Sequence, residues 1–351
     1  MRDISNTEVF DHVLSRYGGR LLTEHVHPDT MEGFQEFIEF FRDILRSKHF
    51  GTSDVRCDWV ANTNFNALAT HSCDHELIGL FAGIPLLLYN HCYCFFSDPK
   101  TLPIMGKGSQ EKPEETVLEG LRNNQLRPLP KGPHDPLRHD AAMHIAWNAV
   151  MFVFFHELGH IAWGHLRLLA ESCGSLEYLE LPVVPLADEE AHLRLLLELD
   201  ADHFAAGYLL QYWNKKWNDG AFSALESLGC DVSWMLSLSM LFLVMDGLNT
   251  AHPTLGQSTH PAPLVRLINI ATICSNERFP SYKGGEDAVL KGFNEVKAWR
   301  ERAGLNPSRG MHGITLEVHE QLNQLRSELH EKYVAHLNKY SADRKTLKVI
   351  T

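Results

Sequence analysis

The segment from about Asp140 to Leu168 constrains this chain more than any other. It reads as one long helix that is apolar almost all the way round, with a carboxylate in its middle: Val150 to Phe155 precede the charged stretch and Ile161 to Trp163 follow it. A helix that is apolar on every face belongs in a core. Glu157 is therefore expected to be buried, and burying a carboxylate without a partner is costly. His156 and His160 flank it, four residues apart on one helical face, so both imidazoles can be aimed at one point.

That arrangement, His156-Glu-Leu-Gly-His160, is the spacing at which a helix offers two nitrogens to a zinc ion. Zinc accepts neutral nitrogen or anionic donors, and a catalytic site keeps one position open for water. The ion lowers the pKa of such a water to about 7, so a nearby carboxylate that is not itself a ligand can take its proton at neutral pH. Glu157 is placed for that role as general base. The bland alternative for the same five residues is a helix with two buried histidines.

A third ligand is required. Ten residues after His156, where the extended metzincin pattern has a histidine, stands Leu166. His165 is nine residues from His156. On a continuous helix, at about 100° per residue, it falls on the opposite face, and it reads as a surface residue or one that supports a ligand. The helix expected over 189–212 offers Glu198-Leu-Asp-Ala-Asp202. Glu198 and Asp202 share a face, so Glu198 can bind zinc while Asp202 accepts a hydrogen bond from a ligand histidine's other nitrogen. Ala201 would allow the two helices to pack closely. The alternative, a solvated acidic stripe, is weakened by the flanking apolar residues Leu195 to Leu197 and Phe204 to Ala206.

The remaining chain suggests an α+β fold, mostly helical, with a small sheet before the active-site helix. Helical spacing of aromatic and aliphatic residues marks 31–48. Two short runs around the polar turn His71–His75 suggest a β-hairpin. Residues 96–138, rich in Pro, Gly and charge, read as a long loop holding one short helix around Glu114 to Asn123. Helices are expected within 220–249, over 264–274 and within 315–341.

A net charge of -12 disfavours nucleic acid as a partner. The N-terminus lacks the apolar run of a signal peptide, and seven scattered cysteines read as free thiols of a reducing cytosol. The longest clean apolar run, Val232 to Met245, falls short of the ~20 residues that span a bilayer. The expectation is a soluble cytoplasmic protein without membrane spans. His71, Cys73, His75, His91, Cys92 and Cys94 gather near the hairpin, but Cys92 and Cys94 have only one residue between them, and core or turn roles are expected.

Four segments in order resemble the gluzincin peptidases of the type that includes CAAX prenyl endopeptidases, the bacterial heat-shock membrane protease and their soluble minigluzincin relatives. They are Asn66-Ala-Leu-Ala-Thr70 with the run to Gly83, His156 to His160, Glu198 to Asp202, and Thr259-His-Pro-Ala-Pro-Leu-Val-Arg266. A weaker resemblance links His156 to His165 and the later Ala-Asp-x-Phe-Ala-Ala pattern to two intracellular groups, phage-exclusion peptidases and peptidases that cleave phage or stress repressors. The gluzincin resemblance implies one zinc per chain on His156, His160 and Glu198, with Glu157 as general base and Asp202 supporting a ligand. It further implies that His260 hydrogen-bonds the oxyanion, that Arg266 holds the His-Pro segment, and that Asn66, Ala67, Leu68 and Ala69 form an edge strand pairing with a peptide. It divides the chain into a helical N-terminal extension (1–56), a zincin-like domain (57–275) and a helical C-terminal extension (276–351). The function implied is hydrolysis of peptide bonds in a cytosolic protein, with regulation, stress or phage defence as the setting that the weaker resemblance suggests. The competing class is a zinc-stabilised binding or sensory module whose site is latent or structural, for which a closed four-ligand site would be the mark. Oligomeric state is open.

Overall fold

The computed structural model describes residues 6–22, 28–46, 55–72, 75–112, 132–174, 177–179, 188–248, 261, 263–276, 285–305 and, further on, 320, 324–325, 327–328, 331–335 and 337–338. The short helix expected near Glu114, His260, Cys73 and most of 315–341 lie outside them.

Three strands, β1 (Val55–Val60), β2 (Ala67–Ser72) and β3 (His75–Phe81), precede the long helices. β2 and β3 form the expected hairpin, with Leu68 opposite Gly79 and Thr70 opposite Leu77. β1 runs parallel to β3, and a short β4 (Glu177–Leu179) pairs antiparallel with β2, giving the order β1-β3-β2-β4. The side-chain period of two sorts the strands into two buried faces. Leu68, Leu77, Phe81 and Val60 point to one side, against Phe10, Val13 and Leu14 at and around helix α1 (Asn6–Leu14). Ala67, Ala69, Ile78, Leu80 and Trp59 point to the other, into the main core. A sheet covered on both faces explains why its strands read as apolar runs.

β4 corrects one expectation. Of the expected edge strand Asn66, Ala67, Leu68 and Ala69, Leu68 pairs with Leu179 and Ala69 with Tyr178, so same-chain backbone holds that half of the side where a peptide was expected. All four residues are buried. The cause is a three-residue strand more than a hundred positions later in the chain, a pairing no local pattern announces.

The main core is built on α4 (Pro136–Ala162), which packs against α3 (Gly83–Ser97), α6 (Asp188–Asn218), α7 (Cys230–Leu248) and the sheet. Pro136 opens α4 and Asp135 caps it, accepting from the Arg138 backbone N–H at 3.1 Å. Helices from both ends of the chain join this core. From α2 (Pro28–Arg46), Phe41 stacks on Phe154 at 4.1 Å and Phe37 on Trp147 at 3.9 Å. At the other end, α9 (Gly285–Arg302) packs along α7, with Trp299 against Phe95. By length and composition α4 and α7 could each cross a membrane, but their apolar windows are 94% and 72% buried inside the fold, as core helices are.

The expected continuous helix through Leu168 ends early. Trp163 caps α4, Gly164 takes φ 76°, and α5 (His165–Cys173) starts in a new direction. Glycine occupies that left-handed conformation at no steric cost.

Arg138 closes the turn after α3. Its side chain, 0% exposed, donates to the carbonyls of Phe96 (2.6 Å), Asp98 (3.0 Å), Thr101 (2.8 Å), Leu102 (3.2 Å) and Met105 (3.0 Å). Arg138→Met should strand several buried carbonyls and cost about 3 kcal/mol or more by denaturant unfolding. A loss within about 0.5 kcal/mol, as at a neutral surface site, would show the turn to be held otherwise.

His91, Cys92 and Cys94 lie buried on α3. His91 bonds the Leu87 carbonyl at 2.8 Å and packs on Trp299, and burial pushes its pKa down to about 4.

Candidate metal centre and active site

The two long helices α4 and α6 bring the titratable residues together. Gly159 permits their close approach: a Cβ there would lie 3.1 Å from that of Phe204. Ala201, fully buried, adds no bulk on the other side. At this crossing His156, His160 and Glu198 converge, each offering one ligand atom within 4.8 Å of the others. The two Nε2 atoms are 3.1 Å apart, His156 Nε2 is 3.5 Å from Glu198 Oε2, and His160 Nε2 is 3.5 Å from Glu198 Oε1. Among the described residues this is the one group of three or more such side chains that could hold a metal ion.

The donors fit a divalent transition metal: two imidazole nitrogens and a carboxylate, in the combination found at open zinc sites. Burial pushes the His160 pKa well below its ordinary value and outweighs the nearby Glu198 carboxylate, which favours the charged form, so its imidazole is neutral as a ligand must be.

Asp202, one turn beyond Glu198, places Oδ1 3.0 Å from His156 Nδ1. Arg266, on α8 (Pro263–Asn276), grips the same carboxylate in a fork, Nη2 to Oδ1 at 2.7 Å and Nε to Oδ2 at 2.9 Å. Its Nη2 also lies 3.2 Å from His156 Nδ1. A guanidinium only donates, and with His156 Nε2 turned to the cluster Nδ1 carries the proton, so both groups donate to Asp202 rather than to each other. Burial alone would raise the Asp202 pKa, but Arg266 and the hydrogen bonds from His156 and Arg266 hold it below its ordinary value. Arg266 reaches Glu198 as well, Nη1 to Oε2 at 3.3 Å, and its guanidinium lies over the Phe242 ring. The resemblance gave it the task of holding the His-Pro segment; its described ion pairs are with Asp202 and Glu198.

Glu157 is 0% exposed. Its charge is close enough to Cys57 of β1 to contribute, after burial and Asp58, to raising that thiol well above its ordinary value.

Sequence reasoning missed the position of His165 and the part of Asp200. Because the chain turns at Gly164, His165 comes back to the site, fully buried, with Nδ1 3.0 Å from His160 Nδ1 and Nε2 3.0 Å from Asp200 Oδ2. The available signal was the glycine directly before His165.

No curated protein and no solved structure is significantly similar to the chain. Residues 116–278 match the family model of Peptidase U49, a span that contains His156, Glu157, His160, Glu198, Asp202 and Arg266, and the match supports a peptidase.

Proposed function

We propose that this chain is a zinc-dependent endopeptidase of the gluzincin type, hydrolysing peptide bonds of a cytoplasmic protein. One observation carries the reading: two imidazoles and a carboxylate converge from two long helices, one of which also carries the fully buried Glu157, all inside the span matched to a peptidase family. His156 Nε2, His160 Nε2 and a Glu198 oxygen would hold the ion. When bound, zinc supplies a Lewis acid for the scissile carbonyl and acidifies water at that point.

The rest is the work of the side chains. A Glu157 oxygen takes the proton of the attacking water and hands it to the leaving amine nitrogen. Asp202 and Arg266 keep the His156 ring oriented, and His260 is assigned to the oxyanion. With β2 paired to β4 from Leu68 to Thr70, an extended peptide adds to the sheet at the outer edge of β4, where main-chain hydrogen bonds align it. The resemblance to phage-exclusion and repressor-cleaving peptidases favours a narrow substrate range and a part in regulation, stress or phage defence.

Metal analysis of gently purified protein tests the site. The expected result is one zinc per chain, lowered by Glu198→Gln. Protein that carries no transition metal and takes up none on adding zinc would overturn the reading.

A further inference from the structure

Two buried polar residues beside the cluster have no part in the proton transfers above. His165, at the first position of α5, touches His160 with one ring nitrogen and Asp200 with the other, each at 3.0 Å. His165 is 0% exposed and Asp200 8%.

We infer that His165 and Asp200 are positioning residues, a relay that fixes the ring and tautomer of His160 so that its Nε2 lone pair faces the metal. The inference rests on the His156–His160–Glu198 site proposed above. A carboxylate oxygen accepts, so His165 Nε2 carries the proton that Asp200 Oδ2 receives. In a neutral imidazole the other nitrogen is then bare, and His165 Nδ1 accepts from His160 Nδ1–H. That proton on Nδ1 leaves His160 Nε2 bare, 3.5 Å from Glu198 Oε1.

The opposite order fails at both ends. A neutral His165 protonated on Nδ1 would turn a lone pair toward Asp200 Oδ2 and force the His160 proton onto Nε2, among the ligand atoms. A proton on His160 Nδ1 matches the other ligand, since His156 donates outward from Nδ1 to Asp202. Two bare Nε2 atoms then face each other at 3.1 Å, a repulsion that a cation between them relieves. The partner of a metal-bound histidine is usually a carboxylate, a carbonyl or water. Here one ligand has its carboxylate directly, and the other reaches one through a second imidazole.

The test uses full-length protein, wild type and three variants, with two readouts: the ¹⁵N shifts of His160 in the metal-free state, and zinc affinity by competition with a chelator. Wild type should show His160 protonated on Nδ1. His165→Leu should lose that preference and bind zinc about 10–100-fold more weakly. His165→Asn, whose amide oxygen can accept near the former Nδ1, should recover most of the affinity. Asp200→Asn should weaken zinc several-fold. His160 protonated on Nε2 in wild type, zinc binding by His165→Leu equal to wild type, or equal losses in the Leu and Asn variants would each overturn the relay. Should the Leu variant fail to fold, Asp200→Asn decides by the same readouts, and an unchanged tautomer and affinity would count against it. Failure of the wild type itself to bind zinc would sink the metal site, and the tautomer would still decide the relay.

Discussion

Glu157→Gln is expected to retain zinc and the wild-type melting temperature while its turnover falls about 10²–10⁴-fold. The side chain keeps its length and an amide oxygen, so the buried space it occupies on α4 stays filled. What it loses is basicity, and with it the ability to take a proton from water and return it to the leaving amine. Burial of the group, 0% exposed in an apolar helix, makes its stability no worse when the charge is removed. Glu198→Gln should behave differently. It weakens a ligand carrying the cluster's negative charge, so zinc affinity falls and zinc-dependent stability falls with it. Thermal melts with and without zinc, run beside peptide turnover, separate the two roles. A Glu157→Gln protein that lost its metal would instead make that residue a ligand.

Arg266→Leu should be among the most damaging substitutions to stability. The guanidinium is 2% exposed and contacts two carboxylates that are themselves fully buried, Asp202 through a fork and Glu198 through Nη1. Removing one member of such a set leaves uncompensated buried charge, at a cost of about 3–5 kcal/mol. Arg266→Lys keeps the charge without the planar fork and should fall between. Chemical unfolding of the two variants measures this directly. A loss below about 1 kcal/mol for the Leu variant, typical of an exposed pair, would mean that solvent reaches the carboxylates once the arginine is gone.

Much of the fold and of the His156–His160–Glu198 cluster was legible because its signals are local. The four-residue spacing of His156 and His160, and of Glu198 and Asp202, survives any tertiary arrangement that keeps both helices. Likewise the turn between β2 and β3 is written in adjacent residues. What could not be read depends on departures from periodicity or on distant contacts. Helical arithmetic put His165 on the far face because it assumed an unbroken helix, and one glycine at φ 76° changes that geometry. Asp200 lies between the two acidic residues that share a face, so spacing alone gave it no partner; His165 supplies one from another helix. β4 pairs with β2 through three residues whose local sequence does not mark a strand edge. Arg138 gathers five carbonyls from the turn after α3, and nothing in its own neighbourhood signals them.

The most direct measurement is a proteome-wide comparison of protein N-termini in cells making the wild-type chain, the Glu157→Gln chain or neither. A zinc peptidase with Glu157 as proton carrier gives a small set of new termini with the wild type that are missing from both other samples. If the Glu157→Gln cells show the same termini as the wild type, or retain the full cellular phenotype with no wild-type-specific termini at all, the site is no protease. The chain would then act by binding, with its metal as scaffold.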